Sequence, residues 1–217
     1  IPIALGSEDF ASIRRRGLPY VDRTAELAEL LGSGAQVSVI CRPRRFGKSL
    51  MLSTLRSWLE RGEEPGLFAG LAIEGDAGAQ AQRGRYAVVH LNLSAASGNT
   101  MAQAMENLAS AVGVEVRRQW GLWSGLEAVS LPALQRMQQG EGREADLRNS
   151  LGLLCEGLAR TSGAPVVVLL DEYDAPLHRA REAGYEGEML SFLRPMLEGG
   201  LKSNRNRSGA TTDPACR

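Results

Sequence analysis

Between Gln36 and Glu60 the chain changes its hydrophobic period within one short loop, and no other feature constrains the fold as tightly. Gln36 to Cys41 alternates and is rich in β-branched residues, which predicts a buried strand. From Lys48 to Glu60, the residues Met51, Leu52, Leu55, Trp58 and Leu59 recur at three- and four-residue spacing, which predicts an amphipathic helix. Strand, loop and helix therefore follow directly on one another, with Arg42-Pro43-Arg44-Arg45-Phe46-Gly47 between them.

The rest of the chain repeats this alternation. Glu8 to Arg16 predicts a short helix before Gly17 and Pro19, and Thr24 to Leu31 a second one stopped by Gly32-Ser33-Gly34. Tyr86 to Leu93 and Val166 to Leu170 read as strands. Helices are expected over Thr100 to Gln119, Leu131 to Gln139 and Glu144 to Arg160, and over Gly184 to Lys202 with a kink or early end at Pro195. Strands alternating with helices imply an α/β fold, a mostly parallel sheet covered on both faces in a three-layer sandwich. Beyond Lys202 no apolar period survives, so residues 203–217 read as an irregular tail, consistent with a shifted reading frame, and 1–202 as the folded part.

A loop that receives phosphate needs converging backbone N–H groups, a residue that lets the backbone approach closely, and a helix N-terminus aimed at the charge. Gly47 meets the second need, Lys48 adds a positive charge for the β and γ phosphates, and the Ser49 hydroxyl is placed to ligate Mg²⁺. Against the pattern GxxxxGK[ST], the first glycine position is held by Arg42. Pro43 gives up a donor, whereas Arg44 and Arg45 bring forked donors that replace backbone contacts to phosphate. Arg42 to Ser49, with Leu50 closing the first turn, is thus the candidate ATP-binding segment of a P-loop NTPase. Lys48 and Lys202 are the chain's only lysines, which sharpens the placement of Lys48 between Gly47 and Ser49.

The second chemical element is an apolar run, Val166 to Leu170, that ends in Asp171-Glu172. Such a strand end supplies the carboxylate for the metal, Asp171, and the base that orients or deprotonates the attacking water, Glu172. Tyr173, Asp174, Pro176 and His178 follow, and Asp174 is placed to bond backbone or an arginine of the loop. His90 and His178 lack partners at metal-ligand spacing and read as structural or surface residues. Trp120 and Trp123, beside Leu122 and Leu126, read as packing.

Composition excludes several classes. With 43% hydrophobic and 23% charged residues the chain is that of a soluble globular protein, without an apolar run long enough to span a bilayer. Zero formal charge gives no global field towards nucleic acid, although a local patch is compatible with it. Cys41, Cys155 and Cys216 show no paired or metal-ligand spacing and read as buried or tail residues. The absence of a signal-like start favours a fragment of a cytoplasmic protein.

The ordered set Phe10-x-x-Ile13-Arg14, Tyr20-Val21-Asp22-Arg23-Thr24, Arg42 to Ser49, Leu67-Phe68-x-Gly70-Leu71 and Leu170-Asp171-Glu172-Tyr173-Asp174-x-Pro176 resembles the predicted AAA-ATPase-like family. In that family an arginine-proline loop is the usual form, so the resemblance implies that Arg42 is compatible with ATP binding. It further implies a sensor strand beyond this segment, lying between the strand of Asp171 and the strand of the loop, and often a C-terminal PD-(D/E)XK nuclease-like domain. Neither falls within this sequence, so the expectation is a sheet truncated before its sensor strand. The functional expectation is ATP hydrolysis that drives rearrangement of attached domains. The alternatives are a nucleotide-gated binding module with negligible turnover, or a gene remnant. Oligomeric state is left open.

Overall fold

The computed structural model describes residues 8–40, 46–62, 64–125 and 131–205. They form two compact units that divide at Val88 and Val89, and each is described by itself.

The first unit begins with α1 (Phe10–Arg15), opened by Asp9, whose side chain accepts the Ser12 N–H, and buries Phe10, Ala11 and Ile13. α2 (Thr24–Gly32) buries Thr24, Leu27 and Ala28. α3 (Lys48–Leu59) follows the predicted period and buries Leu52, Leu55, Trp58 and Leu59. Two 3₁₀ turns, Pro65–Phe68 and Ala72–Gly75, and the short α4 (Ala77–Gln80) complete the described elements up to Tyr86.

Aromatic packing holds this unit together. Phe10 lies 4.7 Å from Phe68 and 5.1 Å from Tyr20 between ring centroids, while Trp58 meets Phe68 edge-on at 4.8 Å. Buried side chains of this size contribute about 1.5–3 kcal/mol each. Trp58 Nε1–H donates to the Ala79 carbonyl at 3.0 Å, so the indole is buried without leaving its donor unpaired.

The strand expected over Gln36 to Cys41 is not formed. Gln36 to Ile40 is irregular, with Val37 and Val39 58% and 65% exposed, and Cys41 lies outside the described residues. A strand is stable only where neighbours take up its N–H and C=O groups. Among the described residues up to Tyr86 the β pairing is one isolated parallel bridge, Glu60 to Tyr86, so this segment's alternation has no ladder to join.

In the second unit the sheet is small. β1 (Ala87–Asn92) and β2 (Val166–Asp171) pair in parallel as a two-stranded sheet, both at their predicted positions. The mostly parallel sheet of several strands expected from the sequence is therefore reduced, among the described residues, to two strands within a largely helical α/β chain. The outer edge of β1 is closed by a side chain: Glu115, only 3% exposed, accepts the His90 N–H at 3.1 Å and is held by Arg118 through two 2.8 Å bonds. That carboxylate takes the place a further strand would occupy.

Helices cover this sheet. α5 (Met101–Arg118) starts at Thr100, whose hydroxyl caps the Gln103 N–H, and α6 (Leu131–Gln139) matches its expected bounds. The single helix expected over Glu144 to Arg160 is two, α7 (Glu144–Arg148) and α8 (Ser150–Ser162). Asn149 separates them because its amide donates to the Ala145 carbonyl at 2.9 Å, competing with the helix ladder. α9 (Ala175–Ala183) was not foreseen, although Asp174 at the cap position and Pro176 in the first turn are its start signal.

α10 runs from Glu186 to Arg205 through Pro195, so the proline does not shorten it. Met189, Phe192, Leu193 and Met196 are at most 2% exposed, and their burial outweighs the roughly 3 kcal/mol that an internal proline costs. Cys155 is buried in α8, where burial pushes its thiol pKa up to about 12, in keeping with an inert core residue. Trp123 is 1% exposed and donates to the Val116 carbonyl, which makes it a packing residue. No helix among the described residues is long and apolar enough to cross a membrane.

Candidate functional site

Two local structures carry the predicted site residues, one in each unit. In the first, Arg42, Pro43, Arg44 and Arg45 lie outside the described residues, and description begins at Phe46, 57% exposed. Gly47 adopts a left-handed conformation, φ 74° and ψ 27°, as the residue that opens α3. A β-carbon there would be strained by the backbone angle, which is why this turn needs glycine. Lys48, Ser49 and Leu50 form the first helical turn, half-buried, with no acidic residue among them and no side-chain cap. A helix start of this kind directs backbone N–H groups and the positive end of the dipole at an incoming anion.

α3 is fixed by its neighbours. Phe10 N–H donates to Ser53 Oγ at 3.0 Å, which satisfies an orphan donor of α1 and ties α1 to the second turn of α3. Tyr20 meets Thr54 at 3.4 Å, and burial raises the pKa of the Tyr20 phenol. Asp22 and Thr24 then link the first helices to the segment after α3. Asp22 accepts Thr24 N–H, Thr24 Oγ1–H and Ala72 N–H at 2.9, 2.7 and 2.8 Å, and Thr24 Oγ1 accepts Ile73 N–H at 3.0 Å. Desolvation works against the Asp22 carboxylate, but these bonds and the nearby Arg14 outweigh it and hold its pKa below the usual range. Arg14 donates to the Leu67 and Ala69 carbonyls at 2.7 and 2.8 Å. The Phe10 to Arg14 motif is thus joined by hydrogen bonds to the Leu67 to Leu71 motif, and the Tyr20 to Thr24 motif to Ala72 and Ile73 just beyond it.

In the second unit Asp171 ends β2 and is 1% exposed. Its carbonyl accepts the Leu93 N–H at 2.9 Å, and its Oδ1 accepts the Glu172 N–H at 3.0 Å. Glu172 has φ 50°, the one non-glycine residue with positive φ among the described residues. This conformation costs about 1–2 kcal/mol for a side chain of this kind, and such costs gather where a side chain has to be aimed. Asp174 makes no arginine contact among the described residues: its carboxylate lies 3.4 Å from His178 Nε2, one helical turn on, and both are exposed. His90 is half-buried on β1.

The loop after β1 forms the other lip of this strand-end region, and it was not singled out from the sequence. Tyr185 donates to the Gly98 carbonyl at 2.7 Å, Arg179 to Asn99 Oδ1 at 2.5 Å, and Asn107 to the Ser97 carbonyl at 2.6 Å. A β-carbon on Gly98 would stand 2.8 Å from the Ala104 nitrogen, so only glycine fits. These contacts come from residues up to 87 positions away, a separation that periodicity cannot register.

Among the described residues no three or more His, Cys, Asp or Glu side chains gather as a metal cluster. Ser49, in the first unit, and Asp171, in the second, each carry a hard oxygen donor of the type that suits magnesium.

The family model described as "Predicted AAA-ATPase" matches residues 4–208. The chain belongs to the predicted AAA-ATPase family. A curated relative, "Uncharacterized protein in vnfD 5'region" of Azotobacter chroococcum mcd 1, is 31% identical over 176 residues, which are 81% of this chain and 29% of that protein. The chain thus spans 29% of the length of this relative. No solved structure matches it.

Proposed function

We propose that this chain is the N-terminal part of a P-loop NTPase domain that binds ATP with Mg²⁺ and hydrolyses it to ADP and phosphate, driving rearrangement of attached or partner domains. The observation that carries the reading is the start of α3, where left-handed Gly47 is followed by Lys48 and Ser49 in an uncapped, acid-free first turn. Membership of the predicted AAA-ATPase family supports it.

In this reading Arg42 to Leu50 bind the phosphates, with Lys48 meeting the β and γ positions. Ser49 and Asp171 hold the metal, which when bound supplies charge neutralisation at the transferring phosphate. Glu172 accepts the proton of the attacking water. The three-layer sandwich, a cytoplasmic location and a nuclease-like C-terminal domain as partner belong to the same proposal. Zero net charge gives a nucleic-acid partner no support.

Calorimetric titration of Mg-ATP into wild type and Lys48→Ala tests the assignment. Loss of measurable binding in the variant is expected, because it removes the one lysine placed to meet the phosphates. Equal affinity in the two proteins would overturn the phosphate-site assignment.

A further inference from the structure

We infer that Tyr185 is a positioning residue for the Glu172 carboxylate, acting through α9; this rests on the reading of Glu172 as the base. Glu172 sits between two attachments. Upstream, Asp171 ends β2 and its carbonyl accepts the Leu93 N–H. Downstream, the Glu172 carbonyl accepts the Ala175 N–H at 3.1 Å, and Ala175 opens α9. A φ of 50° on a residue with a β-carbon persists only while its surroundings hold it, so the aim of this side chain depends on where α9 is held.

α9 has little apolar anchorage of its own. It is nine residues long, too short to be stable alone, and its buried residues, Pro176 and Ala180, are small. Its far end is fastened instead. Gly184, at φ 85°, donates its N–H to the Arg181 carbonyl at 3.3 Å, and the Tyr185 N–H donates to the Ala180 carbonyl at 2.9 Å, the bond pair of a Schellman motif. Tyr185 thus closes the helix, and it is 8% exposed. Its hydroxyl donates to the Gly98 carbonyl at 2.7 Å, while Arg179, within α9, donates to Asn99 Oδ1 at 2.5 Å.

The loop that receives these bonds is itself fixed. Asn107 Nδ2 donates to the Ser97 carbonyl at 2.6 Å, the Asn99 N–H donates to Gln103 Oε1 at 3.0 Å, and a β-carbon on Gly98 would stand 2.6 Å from that of Gln103. Loop 97–99 is therefore held on the first turns of α5, which buries Ala104, Leu108, Val112 and Val116. Tyr185 joins α9 to a helix seated in the core. Without its phenol-to-carbonyl bond α9 is freer to tilt about its start, and the turn at Glu172 relaxes. Misplacing a catalytic group by about 1 Å costs up to about 10²-fold in rate.

The competing account is that Tyr185 serves only the stability of the helix end. Tyr185→Phe removes the hydroxyl and keeps the ring; Arg179→Ala removes the second tie at an exposed position, and carries the test should the first variant fold poorly. Amide hydrogen exchange reads the Ala175 N–H, calorimetry reads Mg-ATP affinity, and single-turnover hydrolysis at saturating ATP is measured with and without Glu172→Gln.

Tyr185→Phe is expected to speed exchange at Ala175 about tenfold while the amides of β2 keep their wild-type rates. Affinity should stay within about twofold as the saturated rate falls about tenfold or more. In the Glu172→Gln background the same change is expected to cost nothing further, because the group it positions is gone. Arg179→Ala is expected to act in the same direction.

Unchanged exchange at Ala175 in both variants, a wild-type saturated rate in both, or an equal loss in the Glu172→Gln background would overturn the inference. Two controls tell the levels apart. If Lys48→Ala abolishes ATP binding and Glu172→Gln stops hydrolysis while the Tyr185 and Arg179 variants behave as wild type, only the role of Tyr185 falls. If Glu172→Gln hydrolyses at the wild-type rate, the reading of Glu172 as the base falls and the role of Tyr185 with it.

Discussion

Glu172 donates its backbone N–H to Oδ1 of Asp171 at 3.0 Å while its own backbone sits at φ 50°. The two acids thus meet in one turn, the second donating its N–H to the first and itself holding an unfavourable backbone conformation.

Replacing Glu172 by glycine relieves that conformation. Glu172→Gly is expected to raise stability by about 1 kcal/mol, because glycine enters the left-handed region without a β-carbon clash. Glu172→Gln keeps the strain and is expected to leave stability unchanged. On the proposed role of Glu172 as the base, both are expected to lower single-turnover hydrolysis about 10²- to 10⁴-fold. Chemical denaturation and a phosphate-release assay read the two effects, and a Glu172→Gly protein less stable than Glu172→Gln would refute the strain argument.

Asp22 ties α2 to the segment at Ala72, and its pKa is depressed in the folded state. A depressed carboxylate contributes stability that is present above its unfolded pKa, about 3.9, and is lost as pH falls through the folded value. Asp22→Asn is expected to cost about 1 kcal/mol near neutral pH, since the group is solvent-exposed and its bonds are screened. Below the folded pKa the two proteins should converge. Melting temperatures from pH 7 down to pH 3 check this, and a gap that persists at low pH would contradict it.

Gly113 of α5 lies where a β-carbon would stand 2.5 Å from the Met137 carbonyl oxygen. A backbone atom cannot rotate aside, so α5 and α6 have to separate. Gly113→Ala is expected to destabilise the protein by about 1–3 kcal/mol despite alanine's better helix propensity. Denaturant unfolding measures the sign, and a stabilised variant would show that the two helices do not cross this closely.

Val37 and Val39 carry the alternation that predicts a strand, yet both are exposed. The double variant Val37→Thr, Val39→Thr is expected to change stability by less than about 0.5 kcal/mol, as surface substitutions do. Two buried strand positions would together cost several times more. A large loss in the melt would mean that this segment is covered in solution.

Much of the architecture was legible because it is written in local chemistry. The period of Leu52, Leu55, Trp58 and Leu59 marked α3, the apolar run from Val166 marked β2, and Thr100 opened α5, each a signal carried within one or two turns of chain. Gly47 was legible for the same reason, since a left-handed turn before a helix is a demand on one residue.

Whether a segment with strand chemistry becomes a strand is a different kind of question. Gln36 to Ile40 and Ala87 to Asn92 are both β-rich, but β1 pairs with β2 while the other segment pairs with nothing among the described residues. The sequence set the propensity of each; only the tertiary structure supplies or withholds the partner for their backbone groups. The same holds for Pro195, tolerated because Phe192 and Met196 are buried on either side. Helical periods and turn residues act over a few positions, whereas strand pairing, buried contacts and the setting of one side chain beside another depend on residues far away in the chain, and for these the fold itself decides.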